Sequence, residues 1–216
     1  MEAEDREQEA GGEARNVAAA PRANVYLILA RCFRQPESGL AEDLDLLMQM
    51  LGRLYPQCLP AAEVLRESFH EADREELKID HAKLFVGPYD LLAPPYGSVY
   101  LDGERRVMGN STMDAAALYA QAGLSPDPVN HEPPDHISTA LEFMYFLGFQ
   151  QASGEGGGQG QPHLKELEHR FLSNHLGRWV EPFTGRILAS GLGGFYAALA
   201  ELTALFIRLE TERLHA

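Results

Sequence analysis

Cysteine is scarce: Cys32 and Cys58 are the two in 216 residues. That is too few for a disulfide framework or a cysteine-built metal cage. Both are expected to pack as small hydrophobes in a reducing compartment. Positive charge is scarce as well. Against 32 Asp and Glu stand 18 Lys and Arg, a net charge of −14, so the basic footprint of a nucleic-acid binder is missing. No run approaches the roughly 18 apolar residues that span a bilayer. The N-terminus, with Glu2, Glu4, Asp5, Glu7 and Glu9, is the opposite of a signal-peptide n-region. These absences imply a cytoplasmic chain without nucleic acid and without stable membrane insertion. A negative field would speed encounter with a basic partner, though acidity also serves solubility alone.

What is present is globular. Hydrophobic residues make up 45% and charged residues 23%, and the length suits one domain with a real core. Residues 1–20, acidic and rich in Gly and Ala, are expected to form a disordered tail. The domain, 21–216, reads as helical. Val25, Ile28, Leu29, Cys32 and Phe33 share a helical face. A second helix after Ser38, its expected N-cap, carries Leu40, Leu44, Leu47, Met48, Leu51 and Leu54. Pro56 and Pro60 bracket a short loop; Val64, Leu65 and Phe69 mark a third helix, and Leu77, His81, Leu84 and Phe85 a fourth, stopped at Gly87-Pro88. From Tyr89 to Asn110 helical periodicity vanishes, and Val99-Tyr100-Leu101 before Asp102-Gly103 reads as a short hairpin. Ser111-Thr112-Met113-Asp114 resembles a capping box, with Gly123 as the stop. The helix after Asp135 is apolar nearly all round, with Ile137, Leu141, Phe143, Met144 and Leu147, and so belongs at the centre of the fold. A Gly-rich stretch, 153–162, reads as a flexible linker. Leu164 to Leu172 form a helix ending near Gly177, Trp179 and Phe183 anchor a short one, and Phe195 to Leu209 form the last.

Two proline-stiffened segments frame a site. The first is Ala93-Pro94-Pro95-Tyr96-Gly97-Ser98-Val99-Tyr100; the second, Glu132-Pro133-Pro134-Asp135-His136, opens the central helix. His131, Glu132, Asp135 and His136 invite a metal, but the histidines are five apart with two prolines between, against four apart in helical zinc sites. Capping and local hydrogen bonds explain these residues more simply. Asp135 and His136 have acid–base capacity, as a small hydrolase would use, yet no nucleophile arrangement accompanies them. The glycines at 154–160 lack the Lys-Ser/Thr of a P-loop. Asn110-Ser111-Thr112 fits a glycosylation sequon that a cytoplasmic chain never presents. Binding fares better: prolines lower the ordering cost, Tyr89, Tyr96 and Tyr100 offer rigid amphipathic area, and Glu132 and Asp135 have the chemistry to accept a guanidinium. Asp135 equally suits capping. His136 is expected neutral, since an imidazolium sits badly at a helix N-terminus. An acidic scaffold subunit that binds a folded partner is the rival reading.

Leu84-Phe85-Val86-Gly87-Pro88, the Ala93–Tyr100 segment, and Glu132-Pro133-Pro134-Asp135-His136 with Leu141-Glu142-Phe143-Met144 resemble the TorD/DmsD family of redox-enzyme maturation chaperones. His175-Leu176-Gly177-Arg178-Trp179 and Phe195-Tyr196 extend the resemblance, which runs from Asn24 to Leu209. It implies an all-α, single-domain helical bundle of the TorD type with one proline-rich loop region. It implies a non-enzymatic cytoplasmic chaperone for the apo-molybdoenzyme catalytic subunit. Such a protein binds the N-terminal, often twin-arginine, signal peptide and holds it until molybdopterin guanine dinucleotide is loaded. By that resemblance Tyr96, Ser98, Glu132, Asp135 and His136 face leader or cofactor, while Leu84, Phe85, Gly87, Pro88, Pro94, Pro95, Tyr100 and Pro133 shape the pocket. It implies no intrinsic cofactor, transient contact with molybdopterin guanine dinucleotide or a guanine nucleotide, and, for some members, a homodimer formed by helix exchange. Pro134 stands where the family usually has an acidic residue.

Overall fold

The computed structural model describes residues 20–36, 39–87, 90–103, 108–125, 132–153 and 157–215, with side chains from 162 onward in the last segment. The expected tail up to residue 19, and with it Ser38, Pro88, Tyr89 and His131, lies outside the described residues. Ala20, the last residue of the expected tail, is instead buried at the start of the first helix.

Two helices form the axis. α1 (Pro21–Cys32) starts with proline in its first turn, where the missing N–H costs little. It lies along α7 (Ile137–Ser153). They come close at Gly148, where a Cβ would stand 3.0 Å from that of Ala23. α7 is the expected central rod, burying Ile137, Leu141, Phe143, Met144 and Leu147. Around this pair stand α2 (Leu40–Leu54), α3 (Leu59–Glu71) and α10 (Phe195–His215), with α3 packed on both α2 and α10. α2 buries Leu40, Leu44, Leu47 and Leu51 as its pattern predicts, but Met50 replaces Leu54, which is 42% exposed at the helix end. The loop expected between Pro56 and Pro60 is a 3₁₀ turn, Pro56–Cys58, running straight into α3, because both prolines sit at first-turn positions that need no N–H donor. Val64 is exposed on α3 while Leu65 and Phe69 are buried.

α4 (Arg74–His81) is capped by Asp73, whose carboxylate accepts the N–H groups of Glu75 and Glu76. It runs into a π turn, Ala82–Val86, closed by Gly87 N–H donating to the Ala82 carbonyl and ended by Gly87 at φ +92°. A second π turn, Leu172–Leu176, joins α8 (Gly157–Phe171) to α9 (Gly177–Ala189). Gly177 therefore does not stop the helix, as its composition signals; a side chain there would meet the Leu172 carbonyl at 2.6 Å, so glycine is what lets the π turn close. α8 also reaches back to Gly157, into the stretch expected as a linker. Glycine's low helix propensity hides that start from a reading of composition.

A buried charge network ties α1, α8 and α10. Arg22 pairs with Glu168 at 2.5 Å and with Glu210 at 2.9 Å; Arg213 meets Glu168 at 2.7 Å and Glu210 at 2.9 Å. Tyr26 and Tyr55 hydroxyls both donate to Glu210. Burial alone would raise the Glu210 carboxyl, but hydrogen bonding from Arg213 and the charge of Arg22 hold it below its ordinary value. A charge this deep is stable while its partners stay. Glu210→Gln should lower unfolding free energy by roughly 3 kcal/mol at unchanged denaturant slope, read by urea titration. A loss below about 0.5 kcal/mol would show that the network is only an exposed-type pair in effect.

Candidate functional site

The site is built where the proline-aromatic loop meets the start of α7. Gly97 N–H donates to the Asp135 carbonyl at 2.9 Å, and Ile137 N–H donates to the Pro95 carbonyl at 2.8 Å. These two bonds make one antiparallel bridge, with Tyr96 directly opposite His136. Side chains at such a non-hydrogen-bonded pair are close, and the two rings meet edge to face at 5.4 Å between centroids. The hairpin expected at Val99–Leu101 does not form. The chain turns instead into α5 (Gly97–Leu101), because its first turn finds an acceptor: Ser98 N–H donates to Asp135 Oδ2 at 2.8 Å.

Asp135 thus caps α5, across the loop, and not the helix that follows it in sequence. It is fully buried, and so is Ser98; Asp135 Oδ1 and the Ser98 hydroxyl have no hydrogen-bond partner among the described residues. Both residues, expected on the binding surface, lie beneath it. α7 is capped by His136, whose Nδ1 accepts the Ser138 N–H at 3.2 Å. That bond requires an unprotonated Nδ1, which agrees with the neutral imidazole anticipated from the dipole. Burial, followed by the charge of Arg34, pushes the His136 pKa down to about 4 against the pull of Asp135. Pro133 contributes its carbonyl to the His136 N–H at 3.0 Å, and Pro134 accepts the Tyr119 hydroxyl at 2.6 Å. The chemistry used at 134 is backbone chemistry, which the missing acid does not disturb.

A second acid-capped start follows the same plan. Asp102, at the end of α5, accepts the Ser111 N–H and hydroxyl at the beginning of α6 (Asn110–Gln121). The capping box expected from Ser111 to Asp114 is therefore replaced: Ser111 lies inside the helix and is capped from α5, while Gly123 ends the helix at φ +81° as expected. Gly97 sits so close to α9 and the second π turn that a Cβ would meet Trp179 Nε1 at 2.9 Å and His175 Cε1 at 3.2 Å. The C-terminal motif thus backs the loop from behind. Tyr100 turns that way too, stacking on Trp179 at 5.8 Å and giving its hydroxyl proton to the Pro94 carbonyl.

In front, Tyr96, Glu132 and His136 line a cavity of about 330 Å³ together with Phe33, Arg34, His81, Phe85, Val86 and Leu91. Glu132 stands 3.7 Å from His136 Nε2. Phe85 comes to the cavity from the π turn, against which the loop folds back as Ala93 N–H donates to the Leu84 carbonyl. Leu84 itself and Pro95 are buried supports. Val86, 65% exposed, and Leu92, 45% exposed, leave apolar surface beside the opening. Four of the expected residues, Tyr96, Glu132, His136 and Phe85, converge there. The contributions of Arg34, just after α1, and of His81 lie outside the motifs; His81 shares a helical face with Phe85, and that spacing is the one signal the sequence carried. Among the described residues no group of His, Cys, Asp and Glu is placed to hold a metal ion, and no described helix is long and apolar enough to cross a membrane.

Residues 37–185 match the family model described as nitrate reductase delta subunit. The chaperone protein TorD of Shewanella loihica is 29% identical over 209 residues, 90% of this chain and 93% of that protein. The Tat proofreading chaperone DmsD of Salmonella paratyphi A is 30% identical over 137 residues, 63% of this chain and 61% of that protein. A redox enzyme maturation protein of Archaeoglobus fulgidus shares the fold, with a TM-score of 0.52 over 90% of this chain and 94% of that one at 22% identity. The chain belongs to the TorD/DmsD family of redox-enzyme maturation chaperones, whose members are chaperones and not enzymes.

The depressed His136 pKa has a consequence for stability. Between pH 6.5 and about 4 the unfolded imidazole takes a proton that the folded one refuses, so stability falls as pH falls through that window. His136→Asn keeps a capping acceptor and removes the titration. The variant should lose less stability than the parent between pH 7 and pH 4.5, by up to about 3 kcal/mol in urea unfolding. Equal losses would mean that His136 is freely protonated in the native state.

Proposed function

We propose that the chain is a cytoplasmic chaperone for one apo-molybdoenzyme, gripping the N-terminal, twin-arginine leader of its catalytic subunit until the molybdenum cofactor has been inserted and export can follow. The observation that carries this reading is the composition of the cavity. One wall is apolar, from Phe33, Phe85, Val86 and Leu91, and the Glu132 carboxylate stands beside Tyr96 and His136. A leader presents the complement: guanidinium groups next to an apolar segment. Backbone hydrogen bonds and prolines fix the frame before any peptide arrives, which limits the ordering cost of binding. The net charge of −14 favours encounter with a basic peptide. Asp135 and Ser98, being buried, serve in this reading as positioning residues for Tyr96 and His136.

The cofactor expectation finds its best support in a second cavity of about 330 Å³, where Asp102, Ser111 and Asp114 face Arg170, His175 and Arg178. Two guanidinium groups suit phosphate oxygens. The volume lies at the small end of ligand sites and suits one nucleotide portion of molybdopterin guanine dinucleotide, or a guanine nucleotide.

Calorimetric titration with twin-arginine leaders, each beside its Lys-Lys counterpart, tests the proposal. One leader should bind saturably, and Tyr96→Ala and Glu132→Gln should each weaken it about tenfold, or ~1.4 kcal/mol, with the helical spectrum unchanged. A scaffold that binds a folded partner through its acidic helices would show no leader binding and no response to these substitutions.

A further inference from the structure

The cavity already contains a guanidinium. Arg34 Nη2 lies 2.5 Å from Glu142 Oε1, and both side chains are partly exposed. Arg34 lines the cavity and Glu142 does not, so the ion pair links the cavity to a carboxylate beside it. Glu142 is six residues beyond His136 on α7, roughly 9 Å along its axis. Burial raises its carboxyl pKa, Arg34 opposes that rise, and the charge of Glu132 adds to it, so the two carboxylates act on each other. The Arg34 side chain is 44% exposed and follows the end of α1, outside the hydrophobic core.

We propose that Arg34 is a resident competitor for the leader's arginine: it holds the Glu142 carboxylate in the free protein, and an arginine-bearing leader binds by displacing it. This rests on the leader-binding reading given above. Replacing one guanidinium by another keeps a guanidinium on the carboxylate and is close to neutral in charge. The net gain then comes from the apolar part of the leader against Phe33, Phe85 and the exposed Val86. A lysine leader brings a compact ammonium without the planar fork that a leader guanidinium can offer the carboxylate, so it gains less by displacing Arg34. Discrimination between arginine and lysine leaders therefore depends on Arg34 as well as on the acids. Glu142 becomes the second acid of the site, supplied by the helix.

The test is calorimetric titration of the full chain and of Arg34→Gln, Arg34→Lys and Glu142→Gln with the cognate Arg-Arg leader and its Lys-Lys form. Arg34→Gln should bind the Arg-Arg leader about tenfold more tightly and discriminate less against the Lys-Lys form. Arg34→Lys should fall between it and the parent, and Glu142→Gln should bind more weakly than the parent. Circular dichroism of each variant establishes folding, and Arg34→Lys, which preserves the charge, stands in if Arg34→Gln loses helix. If the leader binds the parent and the Arg34 variants equally, or the variants more weakly, the competitor role is overturned while leader recognition stands. Binding of no leader to any of the four proteins overturns both.

Discussion

One carboxylate organises this site. Asp135 Oδ2 accepts the Ser98 N–H while the Asp135 carbonyl accepts that of Gly97, so a single residue fixes both backbone and side-chain contact between two segments 37 residues apart. Removing a buried acceptor leaves a donor without water or partner, which costs more than the bond is worth when made. The short α5, the turn of the chain toward Trp179 and the pairing of Tyr96 with His136 all follow from this contact. A five-residue helix has no stability of its own. It exists here because its first turn is capped by Asp135, just before α7, and its back is pressed on α9.

The same contact separates the site into two layers with different tasks. Asp135 and Ser98 are sealed inside, where charge is costly and geometry is rigid. Tyr96, His136 and Glu132 stand in front, at a cavity open to a ligand. Neutral His136 is what makes the arrangement self-consistent. Its Nδ1 caps α7 only without a proton, and burial together with Arg34 keeps the proton off. Basic side chains near the cavity thus do two things: with burial they hold the imidazole neutral, and in Arg34 they pair with the partly exposed carboxylate of Glu142.

Much of the bundle was legible because helical periodicity and proline position are local signals. α1, α2, α7 and α10 lie close to where apolar spacing places them. What the pattern misses depends on contacts that apolar spacing does not register. Val99-Tyr100-Leu101 has β-type composition but is helical, since Asp135 supplies the cap. Ser111 has the form of an N-cap but is itself capped by Asp102. Gly177 has the form of a stop, yet its missing Cβ admits a π turn. For the site, the motifs located Tyr96, Glu132 and His136, but not the depth at which Asp135 and Ser98 lie. Arg34 belongs to no motif and enters only because α1 ends beside α7.

Hydrogen–deuterium exchange of the full chain, with and without a cognate twin-arginine leader, tests most directly that the bridge pre-forms the site. In the free protein the amides of Gly97, Ser98 and Ile137 should already be strongly protected. The leader should then add protection around Arg34, Val86–Tyr96 and Glu132–His136, leaving α3 and α10 unchanged. Rapid exchange of Gly97, Ser98 and Ile137 in the free protein, or new protection confined to α3 and α10, would contradict a site built and held by Asp135.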